Sequence, residues 1–236
     1  MTLFFLRSAV SLTVAGLALA LGGCSEPEAP PAPAPRVAAD APETIGTIVA
    51  VGDSLTAGYG LDEEEAYPAQ LARMLAEAGL PYRVVNAGIS GETSSGALSR
   101  IEWVLVSLKP DIVILATGAN DGLRGTDPAL TRENLRRSVQ ILKADGVVVV
   151  LAGMQMVRNM GRQYTESFAE IFAQVAAEEE VLLVPFLLAG VAGEAQLNQA
   201  DGIHPTAAGY QVVAENVFPY VRRAIAVHQA QQSGAQ

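Results

Sequence analysis

Short apolar runs rich in β-branched residues alternate with helix-patterned segments along most of this chain, and that alternation leaves few folds open. The runs fall at 47–52, 83–86, 112–116, 147–152 and 181–184. Most are apolar throughout instead of alternating with polar residues, as in parallel strands covered on both faces. Between and after them the spacing predicts helices over 66–78, 94–107, 127–143, 162–178 and 206–226. Gly79 before Pro81, Lys109-Pro110 and Asp145-Gly146 supply stops. The chain therefore reads as α/β, a parallel sheet with right-handed crossovers and helices on both faces. In such open sheets, sites gather beyond the carboxyl ends of the strands.

The first 23 residues stand apart. They hold one charged side chain, Arg7, an apolar run from about Ala9 to Leu21, and then Gly22-Gly23 before Cys24. The run is short for a bilayer span and reads as the core of a signal peptide. Leu21-Gly22-Gly23-Cys24 resembles a bacterial lipobox, which implies lipidation of Cys24 after cleavage; an ordinary secretory peptide is the alternative. The expectation is an exported lipoprotein on the periplasmic face of a bacterial envelope. Cys24 is the only cysteine, so no internal disulfide can form. Residues 24–43 are rich in Pro and Ala without apolar periodicity and read as an extended tether. The folded domain is expected over 44–228, a single domain by length, with a disordered tail at 229–236.

Polar clusters follow the strands. Gly52-Asp53-Ser54-Leu55 follows the first, Asn86 to Thr93 the second, Gly118-Ala119-Asn120-Asp121 the third, and Asp201-Gly202-Ile203-His204 lies before the last helix. Serine is a weak nucleophile until a base takes its proton, and the base needs a third group to fix its tautomer. The chain has two histidines, and His228 falls in a polar tail expected to fray. Ser54 as nucleophile therefore points to His204 as base, with Asp201 three residues before it. Amide groups at the turn after Ser54, at Gly91, and on the Asn120 side chain could bind an oxyanion. Each cluster also has a plainer reading. Asp53-Ser54 suits a cap or turn, Gly91 a positive φ, and Asn120 a turn; Asp201 and His204 could simply flank a helix begun by Pro205.

Gly52–Leu55, Gly91, Gly118–Asp121 and Asp201–His204, in this order, resemble the motif blocks of the SGNH or GDSL hydrolase superfamily. The segments 53–60, 120–125 and 201–205 are similar to its arylesterase and acyl-CoA thioesterase I branch. That resemblance implies a three-layer α/β/α sandwich with a five-stranded parallel sheet of flavodoxin-like order. It implies Ser54 as nucleophile, His204 as base, Asp201 as its orienting carboxylate, and an oxyanion hole from the Ser54 amide, the Gly91 amide and the Asn120 side chain. Asp53 is expected to hold the serine loop in shape. Ala119 stands where the branch often has a second glycine. Residues 154–161 correspond to a loop that often contains proline in relatives and borders the acyl site.

The reading is thus a serine hydrolase of carboxylic esters and thioesters, acting as a monomer on small-molecule or lipid esters. No cofactor or metal is expected. Neither a Gly-x-Ser-x-Gly elbow nor a His-Glu-x-x-His motif is present. A formal charge of −10 with two lysines makes nucleic acid and anionic lipid surfaces poor partners. The alternatives are a non-catalytic lipoprotein that binds acyl chains, and a carbohydrate O-deacetylase on the same fold. The single Trp103 is expected to pack on the core from its helix.

Overall fold

The computed structural model describes residues 44–156 and 160–234. The expected leader, the tether and Cys24 lie outside the described residues. Five strands, β1 (Gly46–Gly52), β2 (Tyr82–Gly88), β3 (Ile112–Ala116), β4 (Val148–Ala152) and β5 (Leu182–Val184), form one parallel sheet in the order β2-β1-β3-β4-β5. Helices α2 (Tyr67–Glu77) and α7 (Ala207–Gly234) pack together on one face. On the other, α3 (Ser94–Leu108) packs on α5 (Pro128–Ala144), and α5 on α6 (Arg162–Glu178). Right-handed crossovers with this strand order produce that division, because only the β1-to-β2 connection steps toward the β2 edge. The architecture is the expected three-layer α/β/α sandwich.

Ile48, Val49, Ala50 and Val51 of β1 and Ile112 to Leu115 of β3 are fully buried, which accounts for their uninterrupted apolar character. Each such aliphatic side chain contributes about 1.5–3 kcal/mol on leaving water. On the edge, β2 is only half-buried, and it runs past Asn86 to Gly88 because its whole length is registered on β1. Strands β4 and β5 each begin one residue later than the apolar runs predict.

Two expectations need correction. Trp103 does not pack on the core; it is 58% exposed. Helix α3 buries Ala97, Ile101 and Val104, and Trp103, two residues from Ile101, lies about 200° round the helix from it. The C-terminal tail does not fray after residue 228: α7 continues to Gly234. His228 is buried, with Nδ1 2.8 Å from the Tyr82 hydroxyl and Nε2 3.3 Å from Asp111 Oδ1. Partners from the starts of two strands thus hold a segment whose sequence looks merely polar. The plainer reading in which Pro205 begins the last helix fails: Pro205 pairs with Asn198, and Thr206 Oγ1 accepts from Gly209 N–H to open α7.

Two short helices escaped the periodicity, α1 (Ser54–Ala57) and α4 (Ala119–Leu123), one turn each at the carboxyl ends of β1 and β3. Helix α1 sits hard on the sheet. A Cβ on Gly88 would collide with the Ala57 backbone nitrogen and lie 2.8 Å from its Cα. Only a glycine lets β2 end beneath α1. Gly88→Ala should therefore destabilise the protein by about 1–3 kcal/mol through overpacking, read as a lower denaturant midpoint. A midpoint equal to wild type would show that α1 does not rest on β2.

Candidate active site

The register places three of the four candidate loops at one level. Gly52 pairs with Gly88 on one side and with Ala116 on the other, so the chains leaving β1, β2 and β3 depart side by side. Ser54 is the first residue of α1. Asp53 caps that turn by accepting from Leu55 N–H at 3.0 Å, and Gly58 closes it, its N–H donating to Ser54 O. Helix α7 is preceded by a loop that brings Asp201 and His204 over the same rim.

His204 Nε2 lies 2.9 Å from Ser54 Oγ, and His204 Nδ1 lies 2.7 Å from Asp201 Oδ2. Asp201 Oδ1 accepts from the backbone N–H of Ile203 and His204. The His204 hydrogen bond first, and these two amides after it, hold the Asp201 carboxyl down to about 2. An ionised carboxylate only accepts, so Nδ1 donates to Asp201 and, whenever the ring is uncharged, the Nε2 lone pair faces the Ser54 hydroxyl. The Tyr59 ring lies against His204, centroids 4.6 Å apart.

Facing Ser54 are the other predicted donors. Gly91 has φ +81°, a conformation that favours glycine, and a Cβ there would meet nothing within 4 Å. Asn120 Nδ2 donates to Glu92 O at 3.0 Å, which fixes the amide and leaves its second hydrogen free of that bond. Among the described residues, the backbone N–H groups of Ser54 and Gly91 have no protein acceptor. Ser54, Gly91, Asn120 and His204 line one cavity of about 210 Å³, with Leu55, Tyr59, Ala119, Leu123 and Ile203. Ala119 in place of a second glycine leaves Asn120 at this wall. A larger hollow of about 630 Å³ beside α6 contains none of these groups. Among the described residues no cluster of three or more His, Cys, Asp and Glu side chains is arranged to hold a metal ion.

The structure also brings in groups to which the motifs assigned no role. Buried Asp121 accepts from Ser94 N–H at 2.7 Å and Ser94 Oγ at 2.6 Å, while Asn134 Nδ2 donates to Ser94 Oγ and Ser95 Oγ. This network ties the residue after Asn120 to the first turn of α3. Arg100 forms a two-pronged pair with Glu92. Neither partnership has a local sequence signature, since each joins segments brought together only by the crossovers.

Compared with known proteins, residues 50–212 match the model of the GDSL-like Lipase/Acylhydrolase family. The chain is 45% identical over 176 residues to Esterase TesA of Pseudomonas aeruginosa, covering 75% of this chain and 88% of that protein. It is 37% identical over 169 residues to Thioesterase 1/protease 1/lysophospholipase L1 of Escherichia coli, covering 72% and 80%. A crystal structure of TesA superposes with a TM-score of 0.73 at 44% identity, covering 75% of this chain and 99% of that one. The fold and the comparisons define a carboxylic ester hydrolase. The chain belongs to the GDSL-like lipase/acylhydrolase family, within its TesA, arylesterase and thioesterase I-like branch.

Asp53 sets up a pH dependence. It is 1% exposed, its Oδ2 has no partner among the described residues, and burial pushes its carboxyl up to about 6, only partly opposed by the Leu55 N–H and His204. The native protein thus keeps a proton that the unfolded chain releases from its ordinary value of 3.8 upward. Stability falls as pH rises across that window and levels off above it. Asp53→Asn keeps an acceptor for Leu55 N–H but cannot ionise. Its melting temperature relative to wild type should rise between about pH 4 and about pH 6 and hold its gain above. A constant offset across that range would show that Asp53 does not titrate there.

Proposed function

We propose that the protein hydrolyses carboxylic esters and thioesters through an acyl-enzyme formed on Ser54. The observation that carries this is the unbroken relay from Ser54 Oγ through His204 to Asp201, at 2.9 and 2.7 Å, beside three amide donors at one cavity wall. His204 Nε2 takes the Ser54 proton as Oγ attacks the carbonyl carbon. The tetrahedral oxyanion accepts from the Ser54 and Gly91 amides and from Asn120 Nδ2, while Asp201 holds the imidazolium in orientation. His204 then gives its proton to the leaving alcohol or thiol. Water, deprotonated by the same nitrogen, attacks the acyl-enzyme and releases the acid.

The cavity favours acyl and aryl groups. Leu55, Ala119, Leu123 and Ile203 give it apolar walls, and the side chains of Tyr59, Leu123 and Ile203 remain exposed at it. Thioesters and lysophospholipids enter the proposed range through the likeness to the Escherichia coli protein named above. A protein that merely held acyl chains would gain nothing from a neutral imidazole lone pair aimed at a serine hydroxyl, which weighs against a non-catalytic binder. Rates on a series of p-nitrophenyl esters, a lysophospholipid and palmitoyl-CoA would define the range.

Ser54→Ala should reduce ester hydrolysis by roughly a thousandfold or more, and a fluorophosphonate should label wild type at Ser54 but leave the variant unmarked. Labelling of the variant at another serine would overturn the assignment. Asn120→Ala should lower kcat by roughly a hundredfold to a thousandfold with KM little changed, since its bond forms to charge present only in the transition state. A less stable Asn120→Ala with normal kcat would remove Asn120 from the site.

The lipobox-like sequence supports a further part of this reading: the mature protein is held at the periplasmic face of a bacterial membrane through acyl groups on Cys24. One chain binds only marginally, so firm retention requires more than one. Cys24→Ser should move the protein from the membrane to the soluble fraction of a lipoprotein-processing host. A wild-type protein recovered wholly in the soluble fraction would exclude the anchor while leaving the hydrolase untouched.

A further inference from the structure

Arg100 stands behind the proposed catalytic cavity on α3 and is absent from its lining, yet it reaches the chain near Ser54 and Gly91 and grips the residue whose carbonyl fixes Asn120. Its Nε and Nη2 each lie 2.7 Å from a Glu92 carboxylate oxygen. Nη2 also donates to Ala87 O at 2.7 Å and makes a long contact of 3.5 Å with Gly52 O. Gly52 lies two residues before Ser54. Glu92 directly follows Gly91, and its main-chain carbonyl is the acceptor that fixes Asn120 Nδ2. The side chains of Arg100 and Glu92 are only 14% and 7% exposed, so water screens their pairing little.

We infer that Arg100 is the positioning residue of the oxyanion hole, holding the Glu92 carbonyl, and through it the Asn120 amide, where developing charge will appear. The inference rests on the oxyanion reading of Gly91 and Asn120 given above. A guanidinium suits the task because its rigid fork satisfies both carboxylate oxygens while a further N–H meets the Ala87 carbonyl in the same plane. The two carbonyls it meets lie at the ends of β1 and β2, so the loop carrying Gly91 and Glu92 is referenced directly to the sheet. Arg100 touches neither Ser54 nor His204. Its contribution is therefore geometric, and it should be visible only where the transition state depends on donor placement.

The test uses Arg100→Lys, which keeps the charge but not the fork, and the paired Arg100→Met with Glu92→Gln, which leaves no unpaired buried charge. Each is made in the wild-type and Asn120→Ala backgrounds, and kcat, KM and the melting temperature are measured with a p-nitrophenyl ester below every melting temperature. Arg100→Lys should lower kcat roughly tenfold to a hundredfold, as expected for a slight misplacement of catalytic donors, with KM within about twofold. In the Asn120→Ala background the same change should cost less than about threefold, because the group it positions is gone. The paired variant should behave in the same way and carries the test if Arg100→Lys does not fold. A wild-type kcat with only a lowered melting temperature, or an equal loss in both backgrounds, would overturn the inference. Slow Asn120→Ala beside fast Arg100 variants would overturn this inference alone, whereas a normal kcat in Asn120→Ala would overturn the oxyanion reading beneath it.

Discussion

Parallel register at the carboxyl edge of the sheet is the constraint on which the site depends. Gly52, Gly88 and Ala116 are hydrogen-bonded neighbours at the same height, so three loops start from one rigid ledge. The connection from β1 turns toward one edge and that from β2 crosses to the other side, which opens a crevice where these loops separate. A shift of one residue in β2 would carry Gly91 and Glu92 up or down by about 3.3 Å, more than a hydrogen bond tolerates. The side chains that fix the register are the apolar ones of β1 and β3, which touch no substrate. Precision in the chemistry is inherited from the core.

Two carboxylates beside the proposed reacting groups, Asp53 next to Ser54 in the chain and Asp201 hydrogen-bonded to His204, are driven in opposite directions by their surroundings. Asp201 keeps contact with water and accepts three hydrogen bonds, so its charge is favoured. Asp53 is sealed beneath the serine turn with one oxygen unpaired, so its charge is penalised. The first can steady an imidazolium throughout the cycle. The second costs stability in its charged form and maintains the cap of a four-residue helix that could not persist alone. Identical side chains thus divide into an electrostatic support and a mechanical one.

The layered α/β architecture was legible because β1, β3 and β4 are buried on both faces and had to be apolar throughout. The close approach of Ser54, His204 and Asp201, the proposed triad, was legible because that chemistry needs particular residue types, and two histidines left little choice. What stayed hidden depends on contacts between distant segments. Helices α1 and α4 are single turns without a repeat to detect, and Gly118, with φ +111°, begins the second without any side-chain cap bond. Trp103 was misplaced because its composition suggests burial while its angular position on α3 decides exposure. The end of α7 was misread because His228 finds Tyr82 and Asp111 far away in the chain. Arg100 and Asp121 have the same character: their roles exist only once α3 has docked.

The bond between Ser54 and His204 joins residues 150 positions apart, the serine near the start of the folded segment and the imidazole on the last loop before α7. The proposed nucleophile therefore has no base until nearly all of the sheet has assembled and α7 has covered it. A nascent or partly unfolded chain can display the serine, but it lacks the base that would arm it. On the proposed mechanism, turnover would report completed folding, and a chain that has not yet closed the sheet would carry an unarmed serine.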